Sequence, residues 1–302
     1  RALSIPLSTA SIVHLLCVHF VMTDAMATIT QSQASESFQI ISSLRYEPAL
    51  PELLKAQCTD AYPDPLRSPY YLLPYHQERL RKAADCFGWR KAATFLQQDV
   101  ESFVEHLNSF IPDRTKPWRL RIVIDRDGTC TVEVNAALQM DALNLLLPSK
   151  MNQTDTPWRV TVDSQRTVPS PFTTHKTTSR DVYTAARLRA KITSPQDPAE
   201  VLIVNPQGEI MEGSITTPYF RRRTSASTQA KIDQEDSGPA WITPPLSSGG
   251  NAGTTRRYAL SQGFCSEQAI TIAELIDGEE CWLSNGVRGF FRGRILLNES
   301  KP

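Results

Sequence analysis

Hydrophobic and polar residues follow regular periods along the first half of the chain, and these periods predict its secondary structure. A β-branched and apolar run predicts a strand over residues 38–44. Apolar positions at helical spacing predict helices over residues 75–87 and 92–110, and the proline-rich segment before the first of them predicts a loop. Two stretches that alternate with period two, residues 118–124 and 130–134, flank an Asp-Gly turn pair and predict a β-hairpin.

The second half continues this mixture after residues 149–158, whose Pro, Ser, Asn and Asp predict a linker. The linker would separate a small amino-terminal domain, residues 38–148, from a larger carboxy-terminal domain, residues 159–302. Residues 224–239 lack any hydrophobic period and predict an exposed loop. The remaining patterns predict strands over residues 159–162, 201–204, 241–243, 280–284 and 289–297, and helices over residues 179–192 and 255–262. Helices and strands therefore intermix in both halves, which indicates an α/β or mixed α+β fold.

The first residues of the chain differ in composition from the rest. Residues 12–22 form an apolar run that is too short to span a bilayer and is interrupted by two histidines. A segment rich in Thr, Gln and Ser follows. We therefore expect residues 1–37 to be a disordered leader or an extension of the gene model, with Met22 or Met26 as the start; a signal peptide is the alternative.

Charge and cysteine usage exclude several classes of partner. The 302 residues include 32 basic and 32 acidic side chains, and the pI is about 7.1. A neutral chain lacks the charge that drives binding to nucleic acid or to an anionic membrane. The six cysteines and five histidines show no metal-ligand spacing, so we expect no metal site. Unpaired thiols indicate a reducing compartment, and we expect a cytoplasmic protein.

One lysine lies in a setting that favours covalent chemistry. Lys176 belongs to a hydroxyl-rich stretch, residues 172–180, just before a predicted helix. A lysine forms a Schiff base with an aldehyde cofactor when burial or a neighbouring cation lowers its pKa. A solvated loop lysine is the alternative interpretation.

Three further features could serve a phosphate-bearing cofactor. Glu212 follows a chain reversal, and a partly buried carboxylate there could keep a pyridine nitrogen protonated, although a surface glutamate is the alternative. Residues 249–256 are glycine-rich and open a helix, where backbone N–H groups and the Thr254 and Thr255 hydroxyls could bind a phosphate or merely cap the helix. Arg79 could grip the phosphate with its guanidinium, or lie on a solvated helix face.

Taken together, these residues have the order and spacing of a known family. The sequence resembles the class IV aminotransferases, which are fold type IV pyridoxal-phosphate enzymes, over residues 38–297. The resemblance rests on His76-x-x-Arg79-Leu80, Lys176, Glu212-Gly213-Ser214, Thr243-Pro244-Pro245, Gly253-Thr-Thr-Arg256 and Leu283-Ser-Asn-Gly286. Phe38 to Tyr46, the His-Lys-Thr around Lys176 and Asn285 to Gly289 are most similar to the aminodeoxychorismate lyase-like branch found in fungi.

The resemblance implies a two-domain architecture like that of D-amino acid aminotransferase, with pyridoxal phosphate between the domains and a homodimer completing the site. It implies that Lys176 is the Schiff-base lysine and that Glu212 is the partner of the pyridine nitrogen. It assigns the phosphate to Arg79, Thr254 and Thr255.

Two departures from the family pattern stand out. Glu212 is followed by Gly-Ser-Ile-Thr-Thr-Pro, without the asparagine that many relatives carry. A threonine that often helps to bind phosphate is replaced around Asn285-Gly286.

The branch-level likeness implies a lyase that acts on aminodeoxychorismate and releases pyruvate and 4-aminobenzoate. A transaminase for branched-chain or D-amino acids, with the same cofactor residues, is the second hypothesis. A non-catalytic protein that keeps the fold is the third. Candidate binders of a substrate carboxylate are Arg45, Arg180 and Arg288, because a guanidinium suits a carboxylate.

Overall fold

Two β-sheets and the helices that pack on them make up the part of the chain that the structure describes. The structure is a computed structural model, and it describes residues 37–57, 61–148, 156–194, 196–222 and 240–297. Its strands are β1 Ile40–Tyr46, β2 Trp118–Ile124, β3 Cys130–Ala136, β4 Trp158–Arg166, β5 Ala199–Val204, β6 Ile210–Gly213, β7 Thr217–Arg221, β8 Trp241–Thr243, β9 Cys265–Glu267, β10 Glu280–Asn285 and β11 Gly289–Ile295. Its α-helices are α1 Leu50–Ala56, α2 Leu73–Cys86, α3 Arg90–Phe95, α4 Val100–Asn108, α5 Pro171–Thr174, α6 Asp181–Arg189 and α7 Thr254–Ser261. Short 3-10 helices span Ala142–Leu145, Leu246–Ser248 and Ile272–Glu274.

The two sheets differ in strand direction. The smaller sheet is antiparallel, in the order β1-β2-β3, and α2 packs against β1. The larger sheet has the order β6-β5-β4-β11-β10-β7-β8-β9 and is mixed, with β4 parallel to both β5 and β11. All residues of β5 are buried, and alternate side chains join two separate apolar clusters. Both faces of this strand are therefore covered, which agrees with the continuous apolar run at residues 201–204.

Most of the predicted elements are confirmed, and the fold is mixed α/β. The hairpin of β2 and β3 pairs in antiparallel fashion across the predicted Asp-Gly turn, where Gly128 has a φ of 83°. The strand predicted at residues 38–44 is β1, two residues further along the chain, and the helix predicted at residues 75–87 is α2. The predicted strand at residues 241–243 has the observed bounds.

The prediction of one helix over residues 92–110 is wrong, because the structure has two helices there. Asp99 has extended backbone (φ −65°, ψ 163°), and its side chain accepts a hydrogen bond from the Ser102 N–H at 2.7 Å, which starts a new helix. The Gln77 amide donates to the carbonyls of Leu96 and Gln98 at 3.1 and 2.7 Å. These bonds satisfy backbone groups that the break leaves without helical partners.

The proline-rich segment before α2 is not wholly a loop either, since it contains α1. This helix has a proline in its first turn, a position that tolerates the missing N–H, and it buries Leu50 and Leu54 one turn apart.

Several sequence predictions lie outside the described residues. These are residues 1–36 of the expected leader, residues 149–155 of the expected linker and the expected loop at residues 224–239. The division into domains at residues 149–158 stays a prediction. In the described part of the chain, no helix combines the length and apolar character needed to cross a membrane.

Candidate active site

A cavity of about 400 Å³ lies among the small sheet, α2, α7 and the strands of the large sheet. All but one of the predicted site residues line this cavity: Arg79, Lys176, Arg180, Glu212, Thr254, Thr255 and Arg288. The structure thus gathers side chains that are more than 200 positions apart in the sequence.

The backbone around Lys176 is fixed on both sides. Ser170 caps α5 in a reciprocal capping box with Thr173, whose hydroxyl also donates to the carbonyl of Gly249 at 2.7 Å. The chain leaves α5 in extended form, and the Lys176 carbonyl accepts a hydrogen bond from the Ile41 N–H of β1 at 2.9 Å. The lysine is therefore held between the two sheets.

The environment of Lys176 favours a neutral amine. Burial lowers the pKa of the Lys176 amine well below its usual range, and the guanidinium groups of Arg180 and Arg79 lower it further, while Glu212 acts in the opposite direction. A neutral lysine amine is a nucleophile and a base, which is what attack on an aldehyde requires.

Glu212 is a partly buried carboxylate without a direct cationic partner among the described residues. Burial raises its pKa to about 7, against the opposing effects of the Tyr183 hydroxyl, Arg180, the Asn251 N–H and Lys176. The Tyr183 hydroxyl donates to Glu212 Oε1 at 2.6 Å. A carboxylate in this state would be stabilised as an anion by a protonated ring nitrogen, because ion pairing favours both charged forms.

Another part of the cavity wall, at α7 and Arg79, suits an anion. The first-turn N–H groups of α7 have no partner within the helix, and the helix dipole is positive there. Arg79 Nε is buried and has no hydrogen-bond partner among the described residues. A Cβ on Gly253 would lie 2.7 Å from Thr217 Oγ1, so glycine is needed for the backbone to pass so close. An unsatisfied buried guanidinium N–H beside a helix N-terminus fits a phosphate.

The three candidate arginines for a substrate carboxylate have different positions. Arg180 lines the cavity, where it donates to the Ser214 carbonyl at 2.6 Å and stacks over the Tyr183 ring. Arg288 also lines the cavity and stacks over the ring of Trp158.

Arg45 is not a lining residue, and the structure does not support its expected place in the site. Its guanidinium is buried in an ion pair with Glu47 at 2.8 Å and donates to the Leu138 carbonyl at 3.0 Å. Its charge is therefore already neutralised inside the protein.

Arg119 lines the cavity, although the sequence analysis did not predict it as a site residue. It extends from β2, is exposed, and acts electrostatically on Lys176 and Arg288. In the sequence, Arg119 is marked only by its place in the alternating pattern of β2. Arg121 has an equivalent place in the same pattern, so the pattern alone does not single out Arg119.

The chain after Glu212 is organised by a second buried carboxylate that the sequence analysis also missed. Glu200 on β5 accepts hydrogen bonds from the Ser214 N–H and hydroxyl (2.9 and 2.5 Å), the Ile215 N–H (3.1 Å) and the Thr216 hydroxyl (2.8 Å). These bonds fold residues 214–216 into a turn on the cavity wall, directly before Thr217, which occupies the position of the asparagine in the family pattern.

The Asn285-Gly286 departure also has a structural role. Asn285 Oδ1 accepts hydrogen bonds from the N–H groups of Val287 and Arg288, at 3.0 and 2.9 Å, and closes the turn between β10 and β11. A Cβ on Gly286 would lie 2.6 Å from His76 Cε1 and 2.7 Å from the Ser43 carbonyl. Glycine at position 286 thus allows this turn to pack against α2 and β1.

Comparisons with known proteins agree with this architecture. Residues 66–295 match the family described as amino-transferase class IV. An aminodeoxychorismate lyase of Saccharomyces cerevisiae is 33% identical over 187 residues, which are 58% of this chain and 45% of the yeast protein. A Schizosaccharomyces pombe protein that provisionally carries the same name is 25% identical over 239 residues, 76% of this chain and 87% of that protein. The chain thus aligns with less than half the length of the first of these curated relatives.

Solved structures share the fold. One from Mesorhizobium loti, provisionally described as an amino-acid aminotransferase, has a TM-score of 0.61 at 21% identity and covers 86% of this chain and 100% of its own. The resemblance expected from the sequence is therefore confirmed. Because the family match covers residues 66–295, which is well over half of the chain, this chain belongs to the class IV aminotransferase family.

Proposed function

We propose that this protein is a pyridoxal-phosphate-dependent lyase that converts 4-amino-4-deoxychorismate into pyruvate and 4-aminobenzoate. The 33% identity with the yeast protein named for this activity supports the reaction. The reaction is balanced in atoms without a second substrate, since the two products together contain all atoms of the substrate. No amino acceptor and no oxidant are consumed.

The observation that carries this proposal is the charge of the cavity wall. The described lining includes four guanidinium groups, those of Arg79, Arg119, Arg180 and Arg288, against the single carboxylate of Glu212. One phosphate accounts for Arg79. The remaining guanidinium groups suit a substrate with two carboxylates, and 4-amino-4-deoxychorismate has two, whereas a branched-chain amino acid has one.

The cavity also fits the cofactor. It offers an amine with a lowered pKa, a partly buried carboxylate with a raised pKa, and a guanidinium N–H that has no partner among the described residues. When bound, pyridoxal phosphate supplies an aldehyde that joins amines and a ring that withdraws electrons from the attached carbon.

Each protein group then has a separate task. Arg79, Thr254 and Thr255 would hold the phosphate, and Glu212, oriented by Tyr183, would hold a proton on the ring nitrogen. The Lys176 amine would hold the cofactor aldehyde and would accept the proton from the amine-bearing ring carbon of the substrate. Loss of this proton and of the enolpyruvyl oxygen would make the substrate ring aromatic, and the released enolate would take up the proton held by Lys176 to give pyruvate.

The test is a reaction without a keto acid. Purified protein loaded with pyridoxal phosphate is incubated with 4-amino-4-deoxychorismate, and pyruvate and 4-aminobenzoate are quantified by a coupled reductase assay and by chromatography. We expect equal amounts of both products, and no product from Lys176→Ala. Amine transfer that requires a keto acid, with no pyruvate release, would assign the chain to the transaminases instead.

The third hypothesis, a non-catalytic protein, makes a different prediction. An intact site gives the loaded protein an absorbance band in the near-ultraviolet to violet that disappears in Lys176→Ala. A protein that stays colourless after incubation with the cofactor would favour a fold kept for another purpose.

A homodimer and a cytoplasmic location, both expected from the sequence, belong to the same proposal. Light scattering on a size-exclusion column should give twice the 33.8 kDa mass of the chain. A monomer with full activity would contradict the expectation that a second subunit completes the site.

A further inference from the structure

His76 on α2 contacts two other elements, β1 and α7, although no part of it reaches solvent. The residue is fully buried, with its Nδ1 at 2.7 Å from Ser42 Oγ on β1 and its Nε2 at 3.2 Å from Thr254 Oγ1 on α7. Arg79, one helical turn further along α2, places Nη2 at 2.6 Å from the same Ser42 hydroxyl. The imidazole thus connects the two side chains that are expected to hold a phosphate.

The directions of these hydrogen bonds follow from the proton inventory. A guanidinium only donates, so Ser42 Oγ accepts from Arg79. The single hydroxyl proton of Ser42 is then available for His76 Nδ1, which lies 2.7 Å away. Arg79 Nη2 also lies 3.5 Å from His76 Nδ1, where a ring N–H would face a group that only donates. Both contacts favour a His76 Nδ1 that accepts and carries no proton.

The remaining nitrogen of the ring must then be the donor. Burial lowers the pKa of His76 well below its usual range, and the charges of Arg79 and Lys176 lower it further, so the ring is neutral and holds one proton. That proton is on Nε2, which donates to Thr254 Oγ1. Since Thr254 Oγ1 accepts this bond, its own hydroxyl proton remains available for a ligand in the cavity.

We propose that His76 is a positioning residue for the phosphate of the cofactor: its Nε2–H tautomer leaves the Thr254 hydroxyl as a hydrogen-bond donor, and its contact with Ser42 holds the Arg79 guanidinium in place. This inference rests on the proposed function only in assuming a phosphate-bearing cofactor. With Nδ1 protonated instead, the Thr254 hydroxyl would donate to the ring and would present a lone pair to the phosphate.

The first test compares two cofactor forms that differ only in the phosphate. Apoprotein is titrated with pyridoxal phosphate and with pyridoxal, and the ratio of the two dissociation constants is measured by fluorescence. We expect His76→Ala to weaken binding of pyridoxal phosphate about tenfold or more and to leave that of pyridoxal unchanged. An equal loss for both ligands, or no loss for either, would overturn the proposal.

Two conservative variants separate the arms of the network and guard against a folding defect. His76→Gln can replace the Nε2 contact with Thr254, and His76→Asn can replace the Nδ1 contact with Ser42. We expect His76→Gln to recover more of the phosphate preference when Thr254 is intact than in a Thr254→Val background. His106→Gln, which changes a histidine on α4 outside the cavity lining, is the matched control and should keep the wild-type ratio.

A second measurement does not depend on any ligand. Long-range proton–nitrogen correlation spectra of the apoprotein distinguish the two neutral tautomers and the cation by their nitrogen shifts, with His76→Gln to assign the signal. We expect the Nε2–H form. The Nδ1–H form or a charged ring would overturn the inference whatever the activity, whereas missing pyruvate release with the expected tautomer and phosphate preference would count only against the lyase.

Discussion

Two parts of the cavity wall handle charge in different ways. In the first, Lys176 and Glu212 have pKa values displaced toward neutrality, in opposite directions from their usual ranges. In the second, burial lowers the pKa of Arg79 only to about 10, so it stays charged at neutral pH, and Thr254 does not titrate. The first pair can exchange protons, and the second can hold an anion without exchanging any. Displaced pKa values are typical of groups that take part in chemistry, whereas fixed donors suit a phosphate anchor, and this is the division of roles that we propose for these residues.

The largest effect on activity should come from removing the Lys176 amine. We expect Lys176→Ala to lower the rate of product formation by at least about a thousandfold, because the same amine binds the aldehyde and moves the proton. Borohydride reduction and peptide mapping should place the cofactor on Lys176 in the wild type. Lys91→Ala, which removes a surface ion pair with Asp127, is the control. Attachment of the cofactor to another lysine would refute the assignment.

Loss of a side chain that we propose to bind the phosphate should weaken cofactor binding rather than slow the reaction. We expect Arg79→Gln to weaken binding of pyridoxal phosphate about a hundredfold, since the guanidinium that we propose as the phosphate ligand is lost. At saturating cofactor the turnover should recover largely. Arg81→Gln on the same helix removes only an exposed contact with Asp85 and should bind normally. Equal affinities of the two variants would show that the phosphate lies elsewhere.

The raised pKa of Glu212 predicts a pH-dependent stability of the apoprotein. Its folded-state pKa of about 7 lies above the ordinary value of 4.5, so its contribution to stability is complete below pH 4.5 and is lost as pH rises through 7. Glu212→Gln should therefore be more stable than the wild type above pH 7, by up to about 3 kcal/mol. Urea unfolding of both apoproteins at pH 5 and pH 8 measures this difference. A gap that does not widen with pH would contradict the burial of this carboxylate.

The smallest of these effects should follow from loss of the Tyr183 hydroxyl. That hydrogen bond lowers the pKa of Glu212, so Tyr183→Phe should raise this pKa further and leave less anion for the ring nitrogen. We expect about a tenfold lower kcat, with a pH profile shifted upward. Tyr75→Phe, which keeps the ring stacked under Arg257 outside the cavity lining, is the matched control. An unshifted profile in Tyr183→Phe would leave Glu212 without its proposed orienting partner.

The sequence predicted the elements whose signals are local. The β2–β3 hairpin has a strict alternation and a turn pair, and the glycine-rich start of α7 is visible in a few adjacent residues. The break between α3 and α4 was missed because the apolar spacing continues through it. What begins the second helix is the capping side chain of Asp99, and a periodic pattern does not register a single cap.

The site residues divide along the same line. Lys176, Glu212 and the Gly-Thr-Thr segment belong to short motifs, and all of them line the cavity. Tyr183 and Glu200 were missed because their roles depend on contacts across the fold with residues more than ten positions away. Arg45 has the right chemistry for a carboxylate, but the partner it meets is Glu47, and only the folded chain decides between an internal and an external partner.

The hydrogen bonds at the outer edge of β1 have a consequence for the geometry of the whole site. The Ile41 N–H donates to the Lys176 carbonyl, and the Arg45 N–H donates to the Gly286 carbonyl. Between them, the Ser42 hydroxyl forms hydrogen bonds with Arg79 and His76. A slip of this strand by one residue would reverse the direction of every one of its side chains. The distance between the Lys176 amine and Arg79 thus depends on the register of a single short strand. An insertion or deletion within residues 41–45 should therefore disable the site even if the fold survives.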